Sequence, residues 1–159
     1  MRLYVQLLLW FESTVAVVAY LATATLLFGQ VVARELFTTS IHGGNKAAVL
    51  FAIVAGALGL VIATGENAHF RATVLDGALP FKWIPRLGDV LSAAIYIGLA
   101  WYALHFALET REYADRAEVI GWALWPFQMV FPYMFLSSAF KHLIFAWQPE
   151  WKPRPILRD

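Results

Sequence analysis

The sequence predicts an all-α integral membrane protein of four transmembrane helices. Both termini are expected in the cytoplasm (N-in/C-in), with a short interfacial helix between spans two and three. Three observations carry this prediction. Of 159 residues, 60% are apolar and only 14% charged, roughly half the charged share of a soluble domain. The apolar residues are gathered into four long runs, each near the ~20 residues that cross ~30 Å of hydrocarbon. Lys and Arg divide unequally between the intervening loops, and the richer side is expected to be cytoplasmic. Four spans with short loops use nearly every residue, so 1–159 reads as a single membrane domain with no room for a soluble catalytic one. There is no cysteine, which excludes disulfides and thiolate metal sites. A net charge of +1 gives no reason to expect nucleic acid.

The first span covers residues 3–33 and is interrupted only by Glu12. At ~1.5 Å per residue it exceeds the bilayer thickness and must tilt or protrude. Ala22-Thr23-Ala24 looks like a signal cleavage site, but the apolar stretch far exceeds a ~7–15-residue signal core, so the run is expected to be retained. An acid inside a span is a functional candidate by default. Glu12 lies roughly a third of the way in, where it can reach cytoplasmic headgroups, water or a basic partner. No second buried acid is expected in spans two to four, so neither is an ion path through this chain alone.

The second span covers residues 47–64, approached through Gly43, Gly44 and Asn45 and stopped by Gly65. Small residues recur at four-residue steps: Ala48, Ala52 and Gly56 on one stripe, Ala55, Gly59 and Ala63 on another. Such stripes let helix backbones approach closely in lipid. Packing inside this bundle is the first expectation, and a docking face for another membrane protein the second. The segment from Asn67 to Leu79 is too short to cross. Phe70, Val74, Leu75 and Ala78 share one helical side while Arg71 and Asp76 point elsewhere, the pattern of a helix lying in the interface.

The third span covers residues 90–108, with Asp89 as its expected N-cap. The fourth covers residues 119–140 without a charge; Pro126 and Pro132 are expected to kink it, and Gly121 and Pro126 to mark a broken entry to it. The tail, residues 148–159, has three prolines and three basic residues and reads as extended and cytoplasmic. For orientation, Arg2, Arg71, Lys82, Arg86, Lys141, Lys152, Arg154 and Arg158 fall on one side. Only Arg34, Lys46, Arg111 and Arg116 fall on the other, so the first side is cytoplasmic. Trp10, Trp83, Trp101, Trp122, Trp147 and Trp151 are expected near span ends, as an aromatic belt.

His42 and His105 belong to the outer side, His69 and His142 to the inner. Two such pairs could in principle ligate two b-type haems, which makes a haem-bearing anchor of an electron-transfer complex the alternative reading. His42 lies in a Gly-rich loop and His69 beyond span two, however, whereas haem ligands are normally fixed on helices within a bundle. No cofactor is therefore expected. No nucleophile–base constellation, phosphate loop or metal-ligand spacing is present in the sequence, so no enzyme activity is expected.

Three segments carry a resemblance. The first is Gln30-Val31-Val32-Ala33-Arg34-Glu35-Leu36-Phe37, at the outer end of span one. The second is Gly65-Glu66-Asn67-Ala68-His69-Phe70-Arg71, followed by Leu79-Pro80. The third is Phe131-Pro132 in span four. In this order and spacing, over about residues 5–146, the chain resembles the small membrane subunit (DctQ-type) of tripartite ATP-independent periplasmic transporters. Thr38 to Lys46 lacks the Trp and acidic residues common there in the family. The resemblance implies a bacterial inner-membrane protein without catalysis of its own. Its implied partners are the lipid bilayer, a large membrane permease subunit and a periplasmic solute-binding protein that delivers a solute, commonly an organic acid. Glu12, Gln30, Arg34, Ala55, Gly59, His69, Arg71 and Pro132 are the residues expected to matter at the partner interface.

Overall fold

The computed structural model describes residues 2–65 and 84–151. Its elements are α1 (Arg2–Phe37), α2 (Gly44–Gly65), α3 (Ile84–Glu112), α4 (Trp125–Gln128), α5 (Val130–Trp147) and a 3-10 turn at Pro149–Trp151. Four helices are long and apolar enough to cross a membrane, the fourth formed by α4 and α5 together. Among the described residues, β pairing is limited to one backbone bridge between Arg116 and Ala123. The expected interfacial helix lies outside the described residues.

The spans pack as a row. α1 lies along α2, α2 along α5, and α5 along α3. Burial follows that order. Within the apolar window of each span, 39% of α2 and 44% of α4/α5 is buried, against 17% of α3 and 6% of α1. A closed bundle would give its members similar burial; here two inner helices are covered and two outer ones are not.

The α3–α5 seam is the best formed. Asp89, Ala93, Tyr96, Ala100, Ala103, Ala107 and Thr110 alternate steps of four and three along α3, the spacing of a coiled-coil seam. Ala93 and Ala107 are almost fully buried, and Tyr96 stacks on Phe135 and His142 of α5. The α2–α5 seam holds the core of Ala57, Val61 and Met134, flanked by Val130, Phe131 and Phe135.

Several expectations are corrected. The fourth span starts at Trp125, not Val119. Gly121 adopts a left-handed φ of +68°, and the backbone ahead of the helix turns on itself, with the Ala117 N–H donating to Trp122 O at 2.7 Å and the Leu124 N–H to Asp115 O at 3.1 Å. Pro126 sits in the first turn of α4, where a missing N–H costs nothing, so it does not kink the span. The interruption falls at Met129, between α4 and α5. Pro132 has no N–H to offer the carbonyl four residues earlier, that of Gln128. At the other end the helix runs on to Trp147 and so includes Lys141. Asp89 lies inside α3 rather than capping it. Trp101 also lies well inside α3, away from either end.

The stripes on α2 pack only in part within the subunit: Ala48 is 1% exposed, whereas the glycines further along are open. A Cβ placed on Gly56 or Gly59 would meet nothing within 4 Å. Leu58 is buried instead, at 4% exposure. The glycines at the two ends of α2 do have neighbours: Gly44 meets Gln30 and Ile41, and the missing side chain of Gly65 leaves room for Leu9 and for the Lys141 ammonium.

Candidate functional site

The densest polar arrangement is a layer buried near one end of the row. Glu12 is fully buried, and Lys141 is 1% exposed. Lys141 Nζ donates to Glu12 Oε2 at 2.6 Å and to the Val61 carbonyl at 3.0 Å. The other carboxylate oxygen, Oε1, accepts from Ser137 Oγ at 2.6 Å and from Tyr133 Oη at 3.1 Å. Tyr133, Ser137 and Lys141 are spaced by four residues on α5 and so share one face of it. Thr64 and Ser138 continue the layer, their hydroxyls 3.3 Å apart, while Thr64 also donates to the Leu60 carbonyl.

A second pair lies across the next seam. His142 Nδ1 is 3.2 Å from Asp89 Oδ1, and the imidazole stacks on Tyr96. Val61, Lys141 and Asp89 are each four to six residues from the corresponding helix end at Gly65, Trp147 and Ile84. At ~1.5 Å per residue, both pairs sit roughly 6–9 Å inside the same end of the row.

Of the alternatives expected for Glu12, these contacts select the basic partner, which belongs to its own chain. Lys141, counted with the cytoplasmic loop charges, is a buried helix residue, which leaves seven cations on that side. Asp89 is also a buried acid at 5% exposure, where none was expected. An unpartnered acid in hydrocarbon is costly, so Glu12 itself signalled a basic partner. Lys141 directly follows the uncharged run 119–140, so hydropathy alone places it outside the span.

The other candidates scatter. Gln30 ties the α1–α2 connection together: its Oε1 accepts from the Ile41 N–H at 3.0 Å. Arg34 is exposed and pairs at 3.0 Å with its neighbour Glu35. Ala55 lies in an apolar groove of about 450 Å³ between α1 and α2, with Ala16, Val17, Tyr20 and Gly56. Pro132 is buried on α5 and lines a groove of about 350 Å³ shared with Trp101 of α3. His69 and Arg71 lie outside the described residues. Of the remaining histidines, His105 packs edge-on against Trp101, and His42 is exposed in the α1–α2 connection.

The layer's described donors and acceptors serve one another, so it acts chemically as an internal cross-link. Among the described residues, no group of three or more His, Cys, Asp or Glu is placed to hold a metal ion. Residues 23–149 match the family model for the DctQ component of tripartite ATP-independent periplasmic transporters, and the chain belongs to that family. It is thus a multi-pass component of a transporter family, not of an enzyme family. No curated protein and no solved structure matches it.

Proposed function

From that membership we propose that this chain is the small membrane subunit of an ion-coupled importer of organic acids. It packs against the large permease subunit and widens that subunit's fixed scaffold, while a periplasmic solute-binding protein delivers the solute. The chain resides in the bacterial inner membrane with both termini in the cytoplasm. Solute and coupling ion are handled by the large subunit.

The observation that carries this reading is the open row. A membrane protein that works alone can bury its helices against one another. Here α1 leaves Trp10, Phe11, Val17, Val18, Leu21 and Phe28 uncovered by its own chain, and α2 presents Gly56 and Gly59 to open space. Small residues on an open face suit close approach by a foreign helix. Glu12 is fully buried and engaged by three donors, which fits a scaffold better than a conduit. Gln30 and Pro132 support the interface by shaping this chain; Arg34, Ala55, Gly59, His69 and Arg71 are the residues proposed to meet the partner.

The test is co-expression of the tagged chain with the large subunit and the binding protein. The complex is expected to co-purify, and solute uptake is expected to need all three. Uptake at the full rate without this chain, together with no co-purification, would overturn the reading.

A further inference from the structure

We propose that the buried Glu12–Lys141 pair positions α1 in the row, so that the placement of the first span is decided by a side chain of the last. The argument begins with how little else holds α1. Its extended packing is against α2, and it is the least buried span of the four. In lipid, apolar contact between helices has no hydrophobic drive, because lipid tails are as apolar as leucine. Polar links and close packing then set a helix's rotation and height.

Along α1 the long-range polar links are few and unequal. Gln30 holds the α1–α2 connection at the outer end. Thr23 Oγ1 lies 3.4 Å from the Ala48 carbonyl of α2, at the limit of hydrogen-bonding distance, and is closer to its own helix at Ala19 O, 2.9 Å away. Among the described residues of α1, Glu12 is the one that carries a charge to α5, reaching Lys141, Ser137 and Tyr133. Lys141 is itself held to α2: its ammonium rests against Gly65 and donates to the Val61 carbonyl. The pair therefore joins three spans at one level. Rotating α1 by one residue, ~100°, would leave a carboxylate and an ammonium unpaired in hydrocarbon, which makes alternative placements far less stable. Until α5 packs, α1 carries an unmatched acid, so α1 reaches its final position only once the last span is present.

The experiment uses the absence of native cysteine. Leu8, on α1, and Leu136, on α5, line one groove; Ile97, on α3, and Leu136 line another. Leu8→Cys/Leu136→Cys reports α1 against α5, and Ile97→Cys/Leu136→Cys reports α3 against α5, each with a short bifunctional thiol reagent in membranes. Lys141→Met or Glu12→Gln is expected to lower the α1–α5 cross-link roughly tenfold while the α3–α5 cross-link persists. If a single variant loses both cross-links, the double variant Glu12→Gln/Lys141→Met decides. Recovery of the α3–α5 cross-link alone supports the proposal; recovery of both overturns it. An unchanged α1–α5 cross-link in the single variants also overturns it, showing that packing alone places α1. The readout needs only this subunit, so it stands whether or not the transport reading holds.

Discussion

Lys141 and His142 are neighbours in the chain and pair in opposite directions. Lys141 Nζ lies 2.6 Å from Glu12 on α1, and His142 Nδ1 lies 3.2 Å from Asp89 on α3. Consecutive side chains on a helix diverge by ~100°, so one turn of α5 directs a basic group toward each end of the row. The two outer helices, which are the least buried, are both tied to α5 at this level.

The His142–Asp89 contact should contribute measurably to the α3–α5 seam. Asp89→Leu is expected to lower the stability of the purified subunit by about 1–3 kcal/mol, because it leaves the imidazole without its partner. Asp89→Asn should lower it less, since the amide can still meet the ring. Thermal unfolding in detergent measures both. Equal losses would mean that the carboxylate is needed there and that the amide, though of the same size, cannot stand in for it.

The glycines of α2 separate internal packing from docking. Gly65→Leu should destabilise the isolated subunit, because its side chain would enter the space held by Leu9 and Lys141. Leu58→Ala should cost about 2–5 kcal/mol, as for other buried leucines. Gly59→Leu should shift the isolated subunit by no more than about 0.5 kcal/mol, since nothing lies within 4 Å of its missing side chain. On the proposed function, it should instead weaken co-purification with the large subunit. A Gly59→Leu subunit that binds normally would place this stripe against lipid.

Arg34 offers a related test at the outer end. Its pair with Glu35 is exposed, and such pairs contribute about 0–1 kcal/mol. Arg34→Ala should therefore leave the subunit's unfolding temperature nearly unchanged. Loss of large-subunit binding in Arg34→Ala, with a smaller loss in Arg34→Lys, is expected if the guanidinium fork meets partner carboxylates or helix-end carbonyls. Equal binding by all three forms would remove Arg34 from the interface.

Topology can be read with single cysteines. Thr39 and Tyr113 are exposed at the end of the row opposite the polar layer. Thr39→Cys and Tyr113→Cys should react with an impermeant thiol reagent added to intact cells, and Thr73→Cys should not. The reverse pattern would invert the assigned orientation.

The haem alternative is open to a spectrum. His142 is committed to Asp89 and stacked on Tyr96, so the purified protein is expected to show no Soret band. A stoichiometric band abolished by His105→Ala or His142→Ala would restore the electron-transfer reading.

Hydropathy alone determined that this chain has four spans, because the length of an apolar run and the thickness of a bilayer are both one-dimensional quantities. The segments around Arg34, Arg71 and Pro132 were likewise enough to point to the family. Which helix faces which neighbour was decided only in three dimensions. The small residues of α2 looked like the packing stripe, yet Gly59 faces open space, while the close seam runs along Ala93, Ala100 and Ala107 of α3. In lipid both stripes satisfy the same local rule, and only the presence of a partner helix distinguishes them. Lys141 gives the sharper case. A lysine at the edge of an apolar run reads as a loop charge until the fold brings a carboxylate 129 positions away in the chain to within 2.6 Å. The stability of a charge in hydrocarbon depends on that partner, and no window of sequence around Lys141 contains it.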